Sequence, residues 1–130
     1  MIIEGILDVE DALAALNVGA DAIVVSNHGG RQLDGAMSSI TALPAIVEAV
    51  GDRAEVWIDG GIRSGQDVLR AIALGAKGTM IGRAFLYGLG AKGQEGVRQT
   101  LKIIHKELDL TLGLCGQSDL AKVDPSILLK

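Results

Sequence analysis

The chain nearly repeats itself. Gly5, Ile6, Asp11, Leu13, Ala15, Gly19 and Ala20 recur as Gly61, Ile62, Asp67, Leu69, Ala71, Gly75 and Ala76, an offset of 56 residues. Each copy reads as an apolar strand, a loop, a capped helix, a glycine stop and a second strand. Two copies make four βα units in a row. Strands that alternate with helices predict a parallel sheet covered by helices. The run Ala22–Val25 has no polar residue, as expected of a parallel strand buried on both faces. Eight such units close a (β/α)8 barrel and four make half of one. A doubly wound sheet is the rival, but a repeated unit favours the barrel.

In order, the pattern predicts a strand over 1–3 ending at Glu4-Gly5. A helix follows with Asp8 as N-cap, Asp11 at the capping-box position and Val9, Ala12, Leu13 and Leu16 on one face. Gly19 stops it. A strand over 22–26 precedes a long loop and a second helix, whose inner face is Ile40, Leu43, Ile46, Val47 and Val50, with Pro44 near its first turn. Gly51-Asp52 closes that helix. A third strand over 55–59 leads to a helix capped by Ser64, with Asp67 at the box position, Val68, Leu69 and Ile72 inward, and Gly75 as the stop. A fourth strand over 78–81 ends in Gly82-Arg83. The last long helix buries Val97, Leu101, Ile104 and Leu108 and leaves Lys102, His105 and Lys106 wet. Ser118 is expected to cap a short terminal helix.

Composition narrows the partners. The chain has 130 residues, room for one domain, and aromatic residues make up only 2%, so the core is aliphatic. A net charge of −4 without a basic block argues against nucleic acid. The single cysteine, Cys115, excludes an internal disulfide and fits a reducing compartment. No apolar run reaches membrane-spanning length. Met1 falls directly on a strand-like run, so an upstream part is expected to be missing.

In barrels the chemistry lies at the C-terminal ends of the strands. Those ends here are Glu4-Gly5, 26–31, 59–63 and Gly82-Arg83, and most of the unusual polar residues fall there. His28 can take a proton near neutral pH. Arg31 can grip a carboxylate through a two-pronged hydrogen bond. Gly29 and Gly30 let the backbone turn and approach a flat ligand. The bland alternative is a structural histidine. Gly60, Gly61, Arg63, Gly82 and Arg83 suit a phosphate, with the helix opening at Ser64 adding its dipole; a tight βα turn is the alternative for Gly60-Gly61. Asp59 is equally readable as a ligand for hydroxyl groups or as a cap. No metal site is expected.

The nine-residue loop Ser26-Asn27-His28-Gly29-Gly30-Arg31-Gln32-Leu33-Asp34, followed by Asp59-Gly60-Gly61-Ile62-Arg63 and Gly82-Arg83, closely resembles the FMN-dependent α-hydroxy-acid dehydrogenases and oxidases. The resemblance runs over residues 1–130 and matches the C-terminal half of that family's barrel. It implies an oxidoreductase that binds FMN and converts a small L-2-hydroxy acid, of which lactate is the expected one, to the 2-oxo acid. By resemblance His28 is the base and Arg31 binds the substrate carboxylate. Asp59 meets the ribityl chain. Gly60, Gly61, Arg63, Gly82 and Arg83 hold the phosphate, and Ser26 lies close to the flavin. A complementing half-barrel or self-association is implied by the missing half. A catalytically inactive half-barrel that binds a phosphate group or pairs with another chain is the alternative. The resemblance implies a cytoplasmic protein, with a peripheral place at the inner membrane as a further expectation. The residues do not specify the electron acceptor.

One position departs from the pattern. Where the family carries a lysine beside the flavin, the first strand end carries Glu4. A carboxylate opposes the negative charge that builds on a reduced flavin. At ~4 Å and an effective dielectric of ~20, each charge is worth about 4 kcal/mol. Protonation or relaxation of Glu4 softens this without removing it. In a completed barrel, Glu4→Lys is therefore expected to raise the rate of flavin reduction. An unchanged rate in stopped-flow absorbance would refute the electrostatic argument.

Overall fold

The computed structural model describes residues 1–129. Four strands and four helices alternate: β1 (Ile2–Ile6), α1 (Val9–Asn17), β2 (Ala22–Val25), α2 (Ser39–Val50), β3 (Glu55–Ile58), α3 (Gly65–Ala73), β4 (Gly78–Thr79) and α4 (Arg83–Leu114). The sheet order is β1-β2-β3-β4, with every neighbouring pair parallel. A doubly wound sheet reverses its order at a switch point. This sheet never reverses, so the barrel reading holds and the chain is four βα units of a (β/α)8 barrel.

One face of the sheet carries the core. Ile3, Ile6, Ile23, Val25, Val56 and Ile58 pack there with Ala12 and Ala15 of α1, Ala42, Leu43, Ile46 and Val50 of α2, and Ala71 of α3. The opposite face is unevenly covered. Val24 is buried, whereas Ile2 is 63% exposed and Glu4 and Glu55 face solvent. Burial of both faces is thus realised only for β2, the strand flanked on both sides by full-length neighbours.

Several boundaries differ from the sequence reading, each for a local reason. β1 runs on to Ile6 because Gly5, at φ +95, forms a bulge: Glu4 pairs with Val24 and Ile6 with Val25. Asp8 caps α1 by accepting from the Glu10 N–H at 2.7 Å, but Asp11 completes no capping box. In the second copy the box is complete, with Ser64 and Asp67 bonded reciprocally. β2 ends at Val25 and β4 at Thr79, before the residues that turn into the rim. Pro44 lies inside α2 rather than in its first turn, and Ile40 sits at the edge of the inner face, 37% exposed. Asp119 rather than Ser118 caps the short turn Leu120–Lys122.

α4 is two helices. Gly93, at φ +57, breaks it after Lys92, so an arm over 83–91 folds back on an arm over 94–114. Gly88 and Gly96 make the fold-back possible: a Cβ on Gly96 would lie 1.8 Å from the Gly88 carbonyl oxygen. Leu101, expected inside, is 51% exposed. α3 has only 9 residues, about 13 Å of axis, too short to cover the whole of the second arm.

α3 crosses that arm at Gly65, where the backbones nearly touch. A Cβ at residue 65 would lie 1.9 Å from the Leu108 amide nitrogen. Backbone cannot yield as a flexible side chain does. Gly65→Ala is therefore expected to destabilise the chain by ~3 kcal/mol or more, read as a lowered urea midpoint. An unchanged midpoint would show that the crossing is looser than described.

Candidate functional site

The loop after β2 is held in an unusual backbone conformation. His28 has φ +54, a left-handed conformation rare for a residue with a side chain, and Gly29 and Gly30 follow at +68 and +71. Strain of this kind, ~1–3 kcal/mol per residue, persists only where the surroundings enforce it. Here they do. Ser26, 1% exposed, accepts the His28 N–H on its Oγ at 3.0 Å. The buried Ser39 at the start of α2 accepts the Asn27 N–H at 3.1 Å. The Asn27 side chain accepts from the Gly30 N–H at 3.1 Å and donates to the Met37 carbonyl at 3.3 Å. From the far end of the sheet, Arg83 Nη2 donates to the Gly29 carbonyl at 2.9 Å.

These bonds bring the strand ends together. His28, Gly29, Arg31, Asp59, Gly60, Gly61, Arg63, Gly82 and Arg83 line one open cleft, floored by Ile62, Met80, Ala84 and Leu86. Every site residue read from the sequence is on its wall except Ser26, which lies beneath the loop. A side chain so deeply buried and already bonded to His28 positions the histidine, and the expected approach to the flavin finds no support in its placement. Glu4 is on the open face of the sheet and outside the cleft lining. Asn27 and Ser39 carry the loop and were not singled out by the sequence. Ser39 had only one clue, a polar residue at the start of an apolar helix.

The phosphate cradle needs one correction. The amides at the start of α3 are taken by the chain's own carboxylates. Arg63 N–H and Ser64 N–H both donate to Asp67 Oδ2, at 3.1 and 3.0 Å, and Gly65 N–H donates to Glu107 Oε2 at 3.0 Å. Asp67 N–H is bonded to Ser64 Oγ, and Gln66, whose N–H is left over, does not line the cleft, so the Ser64 helix turns no bare amide to it. The first arm of α4 does. It starts at Arg83 after Gly82 with no side-chain cap, and Gly82, Arg83 and Ala84 face the cleft. Its first amides have no partner within the helix, and they carry the positive end of the dipole to the same wall as Arg63 and Arg83.

The residues present fit FMN. Bare amides and two guanidinium groups suit a phosphate dianion. Asp59 Oδ1 is buried with no hydrogen-bond partner among the described residues. An orphaned acceptor of this kind costs free energy unless a donor reaches it, and the hydroxyl groups of a ribityl chain are such donors. The cleft measures 230 Å³, below the ~300–1,000 Å³ of complete ligand sites.

Parallel βα units thus bring a histidine, three arginines and a glycine-rich, anion-compatible wall to one rim, the class of site that (β/α)8 barrel proteins build at their strand ends. The comparisons agree. The profile of the FMN-dependent dehydrogenase family matches residues 1–130. An L-lactate dehydrogenase of Caulobacter sp. (strain K31) is 58% identical over 130 residues, covering 100% of this chain and 34% of that protein. An L-lactate oxidase of Nostoc sp. is 51% identical over 128 residues, 98% of this chain and 35% of the relative. A mandelate oxidase solved with benzoyl-formic acid superposes with a TM-score of 0.91 at 51% identity, over 94% of this chain and 36% of the other. Another mandelate oxidase structure holds an FMN adduct. The chain belongs to the FMN-dependent dehydrogenase family. It spans about a third of the length of the curated relatives it matches.

Gly60 shows how tightly the loop is clamped. A Cβ there would lie 2.9 Å from Ser39 Oγ and 3.0 Å from Asn27 Oδ1, the atoms that hold the His28 turn. Gly35 has a similar positive φ, +75, but open space around it. Gly60→Ala is expected to lower the urea midpoint more than Gly35→Ala, by a difference of ~1–2 kcal/mol. Equal losses would mean that backbone strain alone, and not crowding of Ser39 and Asn27, governs residue 60.

Proposed function

We propose that this chain is the part of an FMN-dependent L-2-hydroxy-acid dehydrogenase that grips the cofactor phosphate and carries the base and the carboxylate-binding arginine. The parent reaction is oxidation of an L-2-hydroxy acid to the 2-oxo acid. L-lactate is the substrate favoured by the relatives named as L-lactate dehydrogenase and L-lactate oxidase. The observation that carries the reading is the single cleft that joins His28 and Arg31 to the cradle of Gly60, Gly61, Arg63, Gly82 and Arg83.

Arg31 fixes the substrate by its carboxylate and so presents the α-carbon and its hydroxyl to His28. The imidazole takes a proton from one of these two positions as the electron pair leaves. The chemistry FMN supplies when bound is acceptance of that pair. Arg63, Arg83 and the opening amides of α4 hold the phosphate, and Asp59 accepts from a ribityl hydroxyl. Arg83 also donates to Gly29, so the cradle and the catalytic loop share one guanidinium. The loop geometry that aims His28 is thereby tied to the residue that meets the cofactor.

A second reading is favoured by Glu4: a half-barrel that binds the phosphate group without turnover. The two readings separate experimentally. The chain is expected to bind FMN at least tenfold more tightly than riboflavin in a fluorescence titration, because only FMN offers the phosphate. Arg63→Ala should remove ~1.5–3 kcal/mol of that binding, the worth of a hydrogen bond to a charged group. Equal affinity for FMN and riboflavin would sink the phosphate assignment. Bleaching of bound FMN by L-lactate under anaerobic conditions would support the first reading, and binding without bleaching the second.

A further inference from the structure

The turn at residues 27–31 is held from two directions. Most of the holds are local and come from residues 26–39. His28 N–H donates to Ser26 Oγ, Asn27 N–H to Ser39 Oγ, Gly30 N–H to the Asn27 side chain, and Asn27 Nδ2 to the Met37 carbonyl. Among the described residues, one hydrogen bond reaches the turn from elsewhere. Arg83 Nη2 donates to the Gly29 carbonyl across 54 residues of chain. Gly29 makes room for it: a Cβ there would lie 3.2 Å from Nη2 and 3.8 Å from Cζ of the same guanidinium. Its positive φ is therefore not the sole demand for glycine at this position. Gly30, at φ +71, has open space around it and is not part of the cleft lining.

Arg83 also lines the cleft, with Gly60, Gly61 and Arg63. A guanidinium carries its donors in a rigid fork. Nη2 is engaged at Gly29, and among the described residues Nε and Nη1 have no hydrogen-bond partner. An anion can be met on those two nitrogens without breaking the bond to the turn.

We infer that Arg83 couples cofactor binding to the conformation of the catalytic loop: a phosphate group held in the cleft fixes the guanidinium and so tightens the left-handed His28 turn. The coupling rests on the reading of the cleft as a flavin-phosphate site and adds a direction of influence within it. Its source is the rotamer freedom of a long side chain. An arginine that has lost this freedom to one contact makes the next at a smaller entropic cost. By linkage the effect is reciprocal, so an ordered turn strengthens phosphate binding by the same factor. Arg83 is in this role a positioning residue. His28 sits at a strained φ of +54, and the bond to the carbonyl of the next residue opposes relaxation of that strain. The base is set in its turn once the cofactor phosphate is in place and is looser before.

Amide hydrogen exchange at His28, Gly30 and Arg31 reads the turn directly. FMN and riboflavin differ only in the phosphate, so the flavin-free protein is compared with each complex at saturation. Exchange should slow at least about fivefold more with FMN than with riboflavin, the low end of a typical coupling between sites. Equal slowing by the two, with FMN still bound more tightly, overturns the coupling and leaves the phosphate assignment standing. Faster exchange with FMN means competition for Nη2 and also overturns it. Equal affinity for the two flavins removes the phosphate assignment and the coupling with it. Reciprocity supplies a second test. Gly30→Ala strains the turn through φ alone and should lower the preference for FMN over riboflavin by up to the same factor. In an Arg83→Ala background, where Arg63 still favours FMN, it should leave the remaining preference unchanged. No fall in the first background, or an equal fall in both, counts against transmission through Arg83. The exchange comparison needs no variant, so a misfolded Gly30→Ala protein leaves it intact.

Discussion

The parallel pairing of consecutive strands governs everything else in this molecule. Because β1 to β4 lie side by side in chain order, their C-terminal ends share one rim, and each outgoing loop delivers its polar residues to the same place. β2 is the anchor. All four of its residues are buried, and it pairs on both sides, so the loop that follows starts from the most fully buried strand of the sheet. The strained His28 turn is affordable only on such a foundation. Ser26 at its root, Ser39 from the next helix and Arg83 from the last strand's end each contribute one hydrogen bond to it.

Much of this was legible in the amino-acid order, and the limits are instructive. The repeated glycines and apolar runs announce four βα units, because a helix stop and a buried strand are local events. The Ser64–Asp67 capping box was readable for the same reason. The arrival of Glu107 at the start of α3 was not, since its bond to Gly65 spans 42 residues. Together with the two amides held by Asp67, that bond moves the helix-dipole contribution from α3 to α4. The link from Arg83 to Gly29 spans 54 residues and was equally hidden. An arginine after a Gly-rich strand end reads as a phosphate ligand, and nothing nearby in the chain says that it also braces a loop. The Gly5 bulge escaped because one extra residue in a strand leaves no mark on apolar periodicity when the residue is a glycine.

The two carboxylates at α3 also explain why the site gathers on one side of the rim. Asp67 and Glu107 neutralise the end of α3, leaving the bare start of α4 as the anion-attracting terminus facing the cleft. Arg63, whose own N–H is held by Asp67, is positioned by that capping network while its guanidinium stays free for the cleft. Helix capping and ligand binding therefore draw on the same few residues, and the fold settles which helix does which task.

The backbone at residue 28 has a further consequence, for the routes by which such a site can change. A left-handed φ of +54 is tolerated by glycine, asparagine and aspartate, and strongly disfavoured by threonine, valine or isoleucine. Replacement of the imidazole is thus screened by conformation before chemistry is tried. Drift at this position runs first through small side chains that keep the turn intact and abandon proton transfer. The scaffold outlives the reaction more easily than the reaction finds a new side chain, so a silent relative can retain the whole shape of a working one.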